Sequence, residues 1–485
     1  MNRIDIPLAS IFGVELPPPL ALFLTVGFVF FLWRRDFREQ PDVTSALWLP
    51  LLWMLLLGSR APTQWLNTFG VSWGGASAME EGNPLDALVY FTLIVWGFCV
   101  LHKRQVSLSE VFQNNRWLIV FLVYCFIAIV WADSPYVAFK RWIKILGHPI
   151  MALIVLTEPD PQESLARLMK RSAYILLPFS ILVIKYYEGI GRRFDEWSGL
   201  ASNRGICNTK NGLGAVCMIL GFFFFWQWLK IWRSERNRAR RNELHLIGGL
   251  LIMICYLIRK ANSMTPLLAM LIAMLIMVVV NLRFVNKRLI GTYVIAAAVT
   301  LVLAELWFGI FEQVVALTGH VSTVSGRENL WGELLAFQTN PILGVGFESF
   351  WMGDRLNALW ETHWWHPTEA HNGYLEMYLN LGLLGLFMLA GVIIATFRKI
   401  RLELLRNFEW GRFRMGFLLA VVAYNWTEAS FKGLNLVWFV FYIIAMDYPN
   451  TLFSSTEPSF EAVEVEGEME LAYLPEGNRK SVNIS

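Results

Sequence analysis

The run HNGYLEMYLNLGLLGLFMLAGVIIATF, His371 to Phe397, sets two polar residues at the head of an apolar stretch long enough to cross a bilayer, which takes about 20 residues of helix. Apolar stretches near that length recur along the chain, about thirteen between residues 17 and 447. They are continuous rather than alternating, and backbone inside a membrane must satisfy its own hydrogen bonds, so the runs predict helices and not barrel strands. The expected fold is an all-α, polytopic transmembrane helix bundle of about 12–13 spans. Residues 1–450 form one membrane domain in this reading. With 56% hydrophobic and 16% charged residues, a soluble enzyme and a nucleic-acid binder are both excluded.

Orientation follows from the basic residues of the connections. The loops 34–42, 102–116, 158–171, 233–244, 283–288 and 398–414 carry more than half of the 41 lysines and arginines, so they are expected to face the cytoplasm. Segment 311–372 then lies outside as an extended loop with short amphipathic helices, and His371 lies outside with it. Residues 451–485, rich in glutamate and poor in apolar side chains, read as an acidic, disordered cytoplasmic tail. The net charge of +3 averages basic inner loops against this tail. No cleavable leader is expected at the N-terminus. The five cysteines show neither a disulfide framework nor metal-ligand spacing.

Basic residues on the outer side are concentrated near predicted helix ends: Lys140 and Arg141; Arg192, Arg193, Arg204 and Lys210; Arg259 and Lys260; Arg327. Each alone is open to snorkelling or to pairing with carboxylates such as Asp195 and Glu196; as a set they favour an anionic ligand. In STVSGRENLWGELLAFQTNP, Ser322 to Pro341, Ser325 and Glu328 have capping-box spacing, which predicts a surface helix with Arg327 in its first turn. An arginine there opposes the helix dipole unless an anion is bound. RGICNTKNGLG, Arg204 to Gly214, repeats the arrangement with Asn211 as expected N-cap, and RKANSMTPLL, Arg259 to Leu268, does so with Ser263 or Asn262. Three such helix starts match a pyrophosphate better than a single carboxylate.

The succession RGICNTKNGLG, NSMTPLL, SGRENLW, NPILGVGFESF and EAHNGYLEMYLNLGLLG, over roughly residues 200–390, resembles the O-antigen ligase and O-antigen polymerase superfamily, which includes exopolysaccharide polymerases. The resemblance implies a membrane-embedded, inverting glycosyltransferase that needs no metal and no cofactor. Its donor would be a glycan on undecaprenyl pyrophosphate and its acceptor a sugar hydroxyl on a growing glycan or on lipid A core. It would act at the periplasmic face of the bacterial inner membrane, beside other polysaccharide-assembly proteins. The family's functional arginines carry over to Arg204 and Arg327, and its histidine to His371. Asn211 and Asn372 match motif positions of structural or substrate-orienting character. Lys210, Arg259, Lys260 and Glu376 are further candidate substrate contacts. FKRWIKILG, Phe139 to Gly147, is similar to the exopolysaccharide branch and inclines the reading towards a polymerase.

His363 and His366 in HWWHPTEAH depart from the family pattern. Their H-x2-H-x4-H spacing with His371 would allow a metal, but no carboxylate is fixed beside them by spacing, and none is expected. Trp351, Trp360, Trp364 and Trp365 read either as an interfacial belt or as sugar-stacking platforms. Asn372, Glu376 and Asn380 form one polar stripe along the helix. His371, at a helix start capped by Thr368, is expected to act as a base, its imidazolium disfavoured by the helix dipole and nearby arginines, the alternative being a histidine that hydrogen-bonds and orients the acceptor. A carrier that flips lipid-linked sugar is the alternative class, but no pair of broken helices recurs in two matched halves.

Overall fold

The computed structural model describes residues 16–39, 41–71, 82–194, 201–308 and 321–449, apart from the side chains of residues 298, 301, 302, 305, 306, 308, 321–326 and 328. The chain divides into two units, Met1–Tyr448 and Pro449–Ser485. The expectations for the tail 451–485, for Asp195 and Glu196, and for most of the loop before Val321 fall outside the described residues.

The all-α, polytopic membrane reading is borne out: among the described residues the strands are a single hairpin, β1 (Arg192–Phe194) against β2 (Ala201–Asn203). Among the described residues, four helices are long and apolar enough to cross a membrane: α1 (Pro84–Lys103), α5 (Lys210–Trp232), α6 (Arg238–Ala261) and α10 (Gly373–Arg406). Other apolar runs form shorter helices, among them α2 (Arg116–Ile127), α7 (Met264–Val280) and α12 (Leu436–Ala445). Residues 142–156, one of the apolar runs in the sequence, are divided at Leu146 between α3 (Pro135–Ile145) and a following short helix, Gly147–Leu156. Segment 158–171, expected as a loop, is mostly the first half of α4 (Pro161–Tyr186), capped by Asp160 through Gln162 and Glu163 amides. Charge alone suggested a loop there, but Arg167 and Arg171 are buried against Asp36, with Glu39 and Glu163 also on Arg167.

The break in α10 shapes everything above it. Gly382 has φ 64° and ψ −164°, so the helix is interrupted there. The NPILGVG segment closes the gap: Leu383 and Leu384 amides donate to the carbonyls of Pro341 (2.9 Å) and Ile342 (3.1 Å). Val345 and Gly346 amides donate to Leu379 and Asn380 carbonyls at 3.2 and 2.9 Å, and Tyr124 Oη donates to the Leu381 carbonyl at 2.9 Å. Irregular backbone is tolerated at membrane depth when protein groups satisfy it in this way. A Cβ on Gly382 would sit 2.2 Å from the Ile342 oxygen, and one on Gly344 2.4 Å from the Asn380 oxygen. The glycines of both motifs are therefore set by backbone meeting backbone.

The polar stripe on α10 now has a use. Asn372 caps the helix through the amides of Tyr374 and Leu375. Glu376 is 4% exposed and accepts from Trp351 Nε1 at 2.6 Å and from the Ala370 amide at 3.0 Å. Asn380 accepts from the Phe350 amide at 3.1 Å. Above the break, α8 (Val321–Ala336) and α9 (Gly353–Thr362) share a small core of Leu330, Leu334, Val345, Phe350, Leu359, Ala370 and Leu379.

Candidate active site

The site is built on the turn that follows α11 (Phe408–Tyr424). Asn425 is fully buried, and its side chain bonds Val421, Ser430 and Phe431, closing the turn on itself. The Gly373 amide donates to the carbonyls of Asn425 (2.8 Å) and Glu428 (3.1 Å), docking the start of α10. A Cβ at Gly373 would lie 2.1 Å from Asn425 Oδ1, which is why glycine follows the His-Asn pair.

Glu428, 5% exposed, is the hub. Its Oε1 accepts from Asn211 Nδ2 at 2.8 Å and from Arg327 Nη2 at 3.3 Å, while Oε2 lies 3.8 Å from His371 Nδ1. Arg327 Nη1 also donates to the Thr427 carbonyl at 2.7 Å. Three residues singled out in the sequence, Asn211, Arg327 and His371, thus meet on a carboxylate that no motif flagged. The visible signal was NWTEASFKGLN, Asn425 to Asn435, a polar island between two apolar runs.

His371 is held in the left-handed region at φ 50°, a conformation that costs on the order of 1–3 kcal/mol and concentrates at functional sites. Ala370 before it is clamped by Glu376 at its amide and by Trp331 Nε1 (2.7 Å) at its carbonyl. His371 Nδ1 lies 3.1 Å from Glu369 Oε1, off the line of a well-directed hydrogen bond. Lys432 Nζ donates to the other Glu369 oxygen at 2.7 Å. Carboxylates on the Nδ1 side hold the proton there and leave Nε2 as the nitrogen that can exchange one.

The electrostatics correct one expectation. Burial disfavours charge on His371, but contact with Glu369 and Glu428 outweighs it and raises the imidazole to about 9. The helix dipole and Arg327 do not keep it neutral, because two carboxylates stand closer. Burial likewise opposes charge on Glu369, yet Lys432 and His371 hold it well below the usual carboxylate range. One donor atom each from Glu369, His371 and Glu428 falls within 4.8 Å, a group that could take a cation. Lys432 and Arg327 already stand against the two carboxylates. His363 and His366 do not join this group: His363 Nε2 pairs with Glu333 at 2.7 Å, and His366 packs on Trp360.

Local capping differs from expectation at four points. Thr209, not Asn211, caps α5, and Asn211 is freed to reach Glu428. Ser263 stands at the N-cap of α7 without a capping bond and gives its hydroxyl to Asn211 Oδ1 at 3.0 Å. Asn372 replaces Thr368 as cap of α10. Helix α8 is already helical at Val321, so Arg327 stands in its second turn and Ser325 is interior. At Asn211 and Ser263 a tertiary partner overrides the local pattern, while α8 starts earlier and α10 later than the spacing suggests.

Arg204 follows β2 and bonds backbone carbonyls, Ile190 (3.1 Å) and Gly189 (3.4 Å). Arg60, which sequence reasoning passed over, is 3% exposed and shares the Ile190 carbonyl at 2.6 Å. It also bonds the Cys207 carbonyl and Thr68. Lys210 opens α5 and is exposed. Arg259 and Lys260 are exposed too, in the last turn of α6 rather than at a helix start. The Lys260 carbonyl accepts from Asn203 Nδ2 at 3.0 Å, tying the hairpin to α6. Glu376 and Asn372 bond protein groups that position the His371 segment.

The fold and the site define the class as a many-helix membrane protein that gathers Glu369, His371, Glu428, Lys432 and Arg327 into one cluster of titratable groups. Residues 246–390 match the family described as O-Antigen ligase. The chain is also 26% identical, over 330 residues, to the exopolysaccharide production protein ExoQ of Rhizobium meliloti (strain 1021), covering 64% of this chain and 71% of that protein. Together these support the O-antigen ligase and polymerase superfamily resemblance first read from the motifs.

Proposed function

We propose that this chain is an inverting glycosyltransferase of the polymerase type, working at the outer face of the bacterial inner membrane. It takes glycan from undecaprenyl pyrophosphate and joins it to a sugar hydroxyl. The acceptor oxygen attacks the anomeric carbon, the carbon–oxygen bond to the pyrophosphate breaks, and the carrier pyrophosphate leaves with the electron pair. The hydroxyl proton passes to His371 Nε2 in its neutral form, with Glu369 and Glu428 stabilising the imidazolium that results. Arg327 and Arg204 would bind the leaving anion as planar, multidentate donors.

The observation that carries the reading is the convergence of His371 and Arg327 on Glu428, which sets a proton acceptor beside a guanidinium. The polymerase inclination is supported by the FKRWIKILG stretch on α3 and by the likeness to a protein named for exopolysaccharide production. The test is turnover of purified protein in nanodiscs with polyprenyl-pyrophosphate-linked oligosaccharide. His371→Ala should abolish lengthening of the glycan while the protein remains folded. Near-normal lengthening by that variant would overturn the proposal, and product found only on lipid A core would replace polymerase by ligase.

A further inference from the structure

The tract HWWHPTEAH contains aromatic residues and histidines that the chemistry above does not use. Two of its members, His366 at φ 46° and His371 at φ 50°, are left-handed, so the tract is strained at both ends of Pro367–Ala370. Such strain persists only where surrounding structure imposes it. Here the imposed result is an aromatic wall. Trp360 packs on the His366 ring with centroids 5.0 Å apart and donates its Nε1 proton to the Pro367 carbonyl at 3.0 Å. His363 pairs with Glu333 on α8 and stands edge-on to Trp365, 5.6 Å away at 60°. Trp365 in turn lies nearly parallel to the His371 ring, 28° apart with centroids at 6.4 Å.

The indole is braced by His363 on one flank and stacks at 28° to the His371 ring on the other, yet it stays 40% exposed. At the rim, Glu333 keeps a half-exposed carboxylate (46%). An open ring face beside a histidine, with a carboxylate at its edge, has the composition of a saccharide subsite. The negative face of an aromatic ring meets sugar C–H groups, and the carboxylate accepts from hydroxyls.

We infer that Trp365, with His363 and Glu333 behind it, is the platform for the acceptor saccharide, placing its hydroxyl at His371. The inference rests on the glycosyltransferase reading and specifies its acceptor side. It also gives His363 a part as a positioning residue for Trp365, not as a metal ligand. An indole serving only as a membrane-interface anchor would need neither the His363 brace nor alignment with His371.

The test uses full-length protein in nanodiscs and, as probe, the repeat-unit oligosaccharide cut from the producing strain's own surface polysaccharide, with no lipid-linked donor present. Saturation-transfer NMR should show the probe bound to wild-type protein and to His371→Ala, and at least about fivefold weaker on Trp365→Ala, with Trp365→Phe restoring most of it. With donor added, Trp365→Ala should raise the acceptor KM by a similar factor, leaving donor KM and kcat nearly unchanged. His363→Ala should do the same more weakly, and Trp232→Ala, on an exposed indole elsewhere, should do neither. Unchanged probe binding by Trp365→Ala, or none by wild type, overturns the subsite. Loss of turnover in His371→Ala alongside unchanged Trp365→Ala kinetics would sink the subsite and leave the transferase standing. Probe binding that depends on Trp365 in a protein with no transferase activity would do the reverse.

Discussion

Asn211 Nδ2 donates to Glu428 Oε1 at 2.8 Å, joining the first turn of α5 to a turn 217 residues further along the chain. The same oxygen receives Arg327, and the other faces His371, so one buried carboxylate sets the distance between the proposed base and the proposed anion ligand.

Glu428→Gln keeps the volume and one acceptor but removes the charge. Its turnover should fall at least tenfold with the fold intact, whereas Glu428→Ala should also lose about 1–3 kcal/mol of stability, since the Asn211 amide and part of the Arg327 fork are left unpaired. Activity and thermal unfolding, measured on both variants, check this; full activity of Glu428→Gln would count against it.

The pH dependence follows from the direction of the His371 shift. With its imidazole raised from 6.5 to about 9, the proposed base is imidazolium at neutral pH before substrate binds. For a base, kcat/KM should therefore climb as pH approaches about 9 and then level off. The inflection should move down in Glu369→Gln, which loses the nearest carboxylate. The same shift contributes stability that is complete below pH 6.5 and lost as pH rises through about 9. The unfolding temperature of wild type should decline across that window more than that of His371→Gln. A rate that falls over the same window would assign His371 an acid role.

Gly382→Ala should be among the most damaging single changes outside the site. The added methyl meets the Ile342 carbonyl at 2.2 Å and the backbone is left-handed, so a loss of about 3 kcal/mol or more is expected. Folded yield and unfolding temperature in detergent report it directly, and yield close to wild type would mean that the break relaxes without cost.

Chelation should leave turnover within about twofold, because Lys432 and Arg327 already offset the charge of the two carboxylates. Added zinc, by contrast, should occupy Glu369, His371 and Glu428 and inhibit by taking the imidazole. Turnover abolished by EDTA and restored by magnesium or manganese would place a metal in the working site.

Much of this was legible in the chain. Hydropathy made the helices visible because a membrane demands long apolar runs. The HN.YL and GR..LW motifs singled out His371 and Arg327 before any contact was known. Glu428 was not legible, since a lone glutamate in a turn has no spacing to mark it and owes its place to α5, α8 and α10 arriving from elsewhere. Arg60 escaped for the same reason: its partners are backbone carbonyls of distant segments. The caps were misassigned where a side chain with two possible partners chose the tertiary one, as Asn211 and Ser263 did. Apolar length also overstated several helices, because Leu146 and Gly382 divide runs that composition alone reads as continuous.

The interruption at Gly382 separates two mechanical regimes within one helix. Below it, residues 385–406 can lean as lipid acyl chains lengthen or shorten, the usual answer to a mismatch in thickness. Around and above it, residues 379–384 are fastened to the NPILGVG segment and to Tyr124, so that tilt ends just below the glycine. The position of His371 is therefore referenced to the NPILGVG segment, and a change of host membrane is absorbed about two and a half helical turns before it reaches the imidazole.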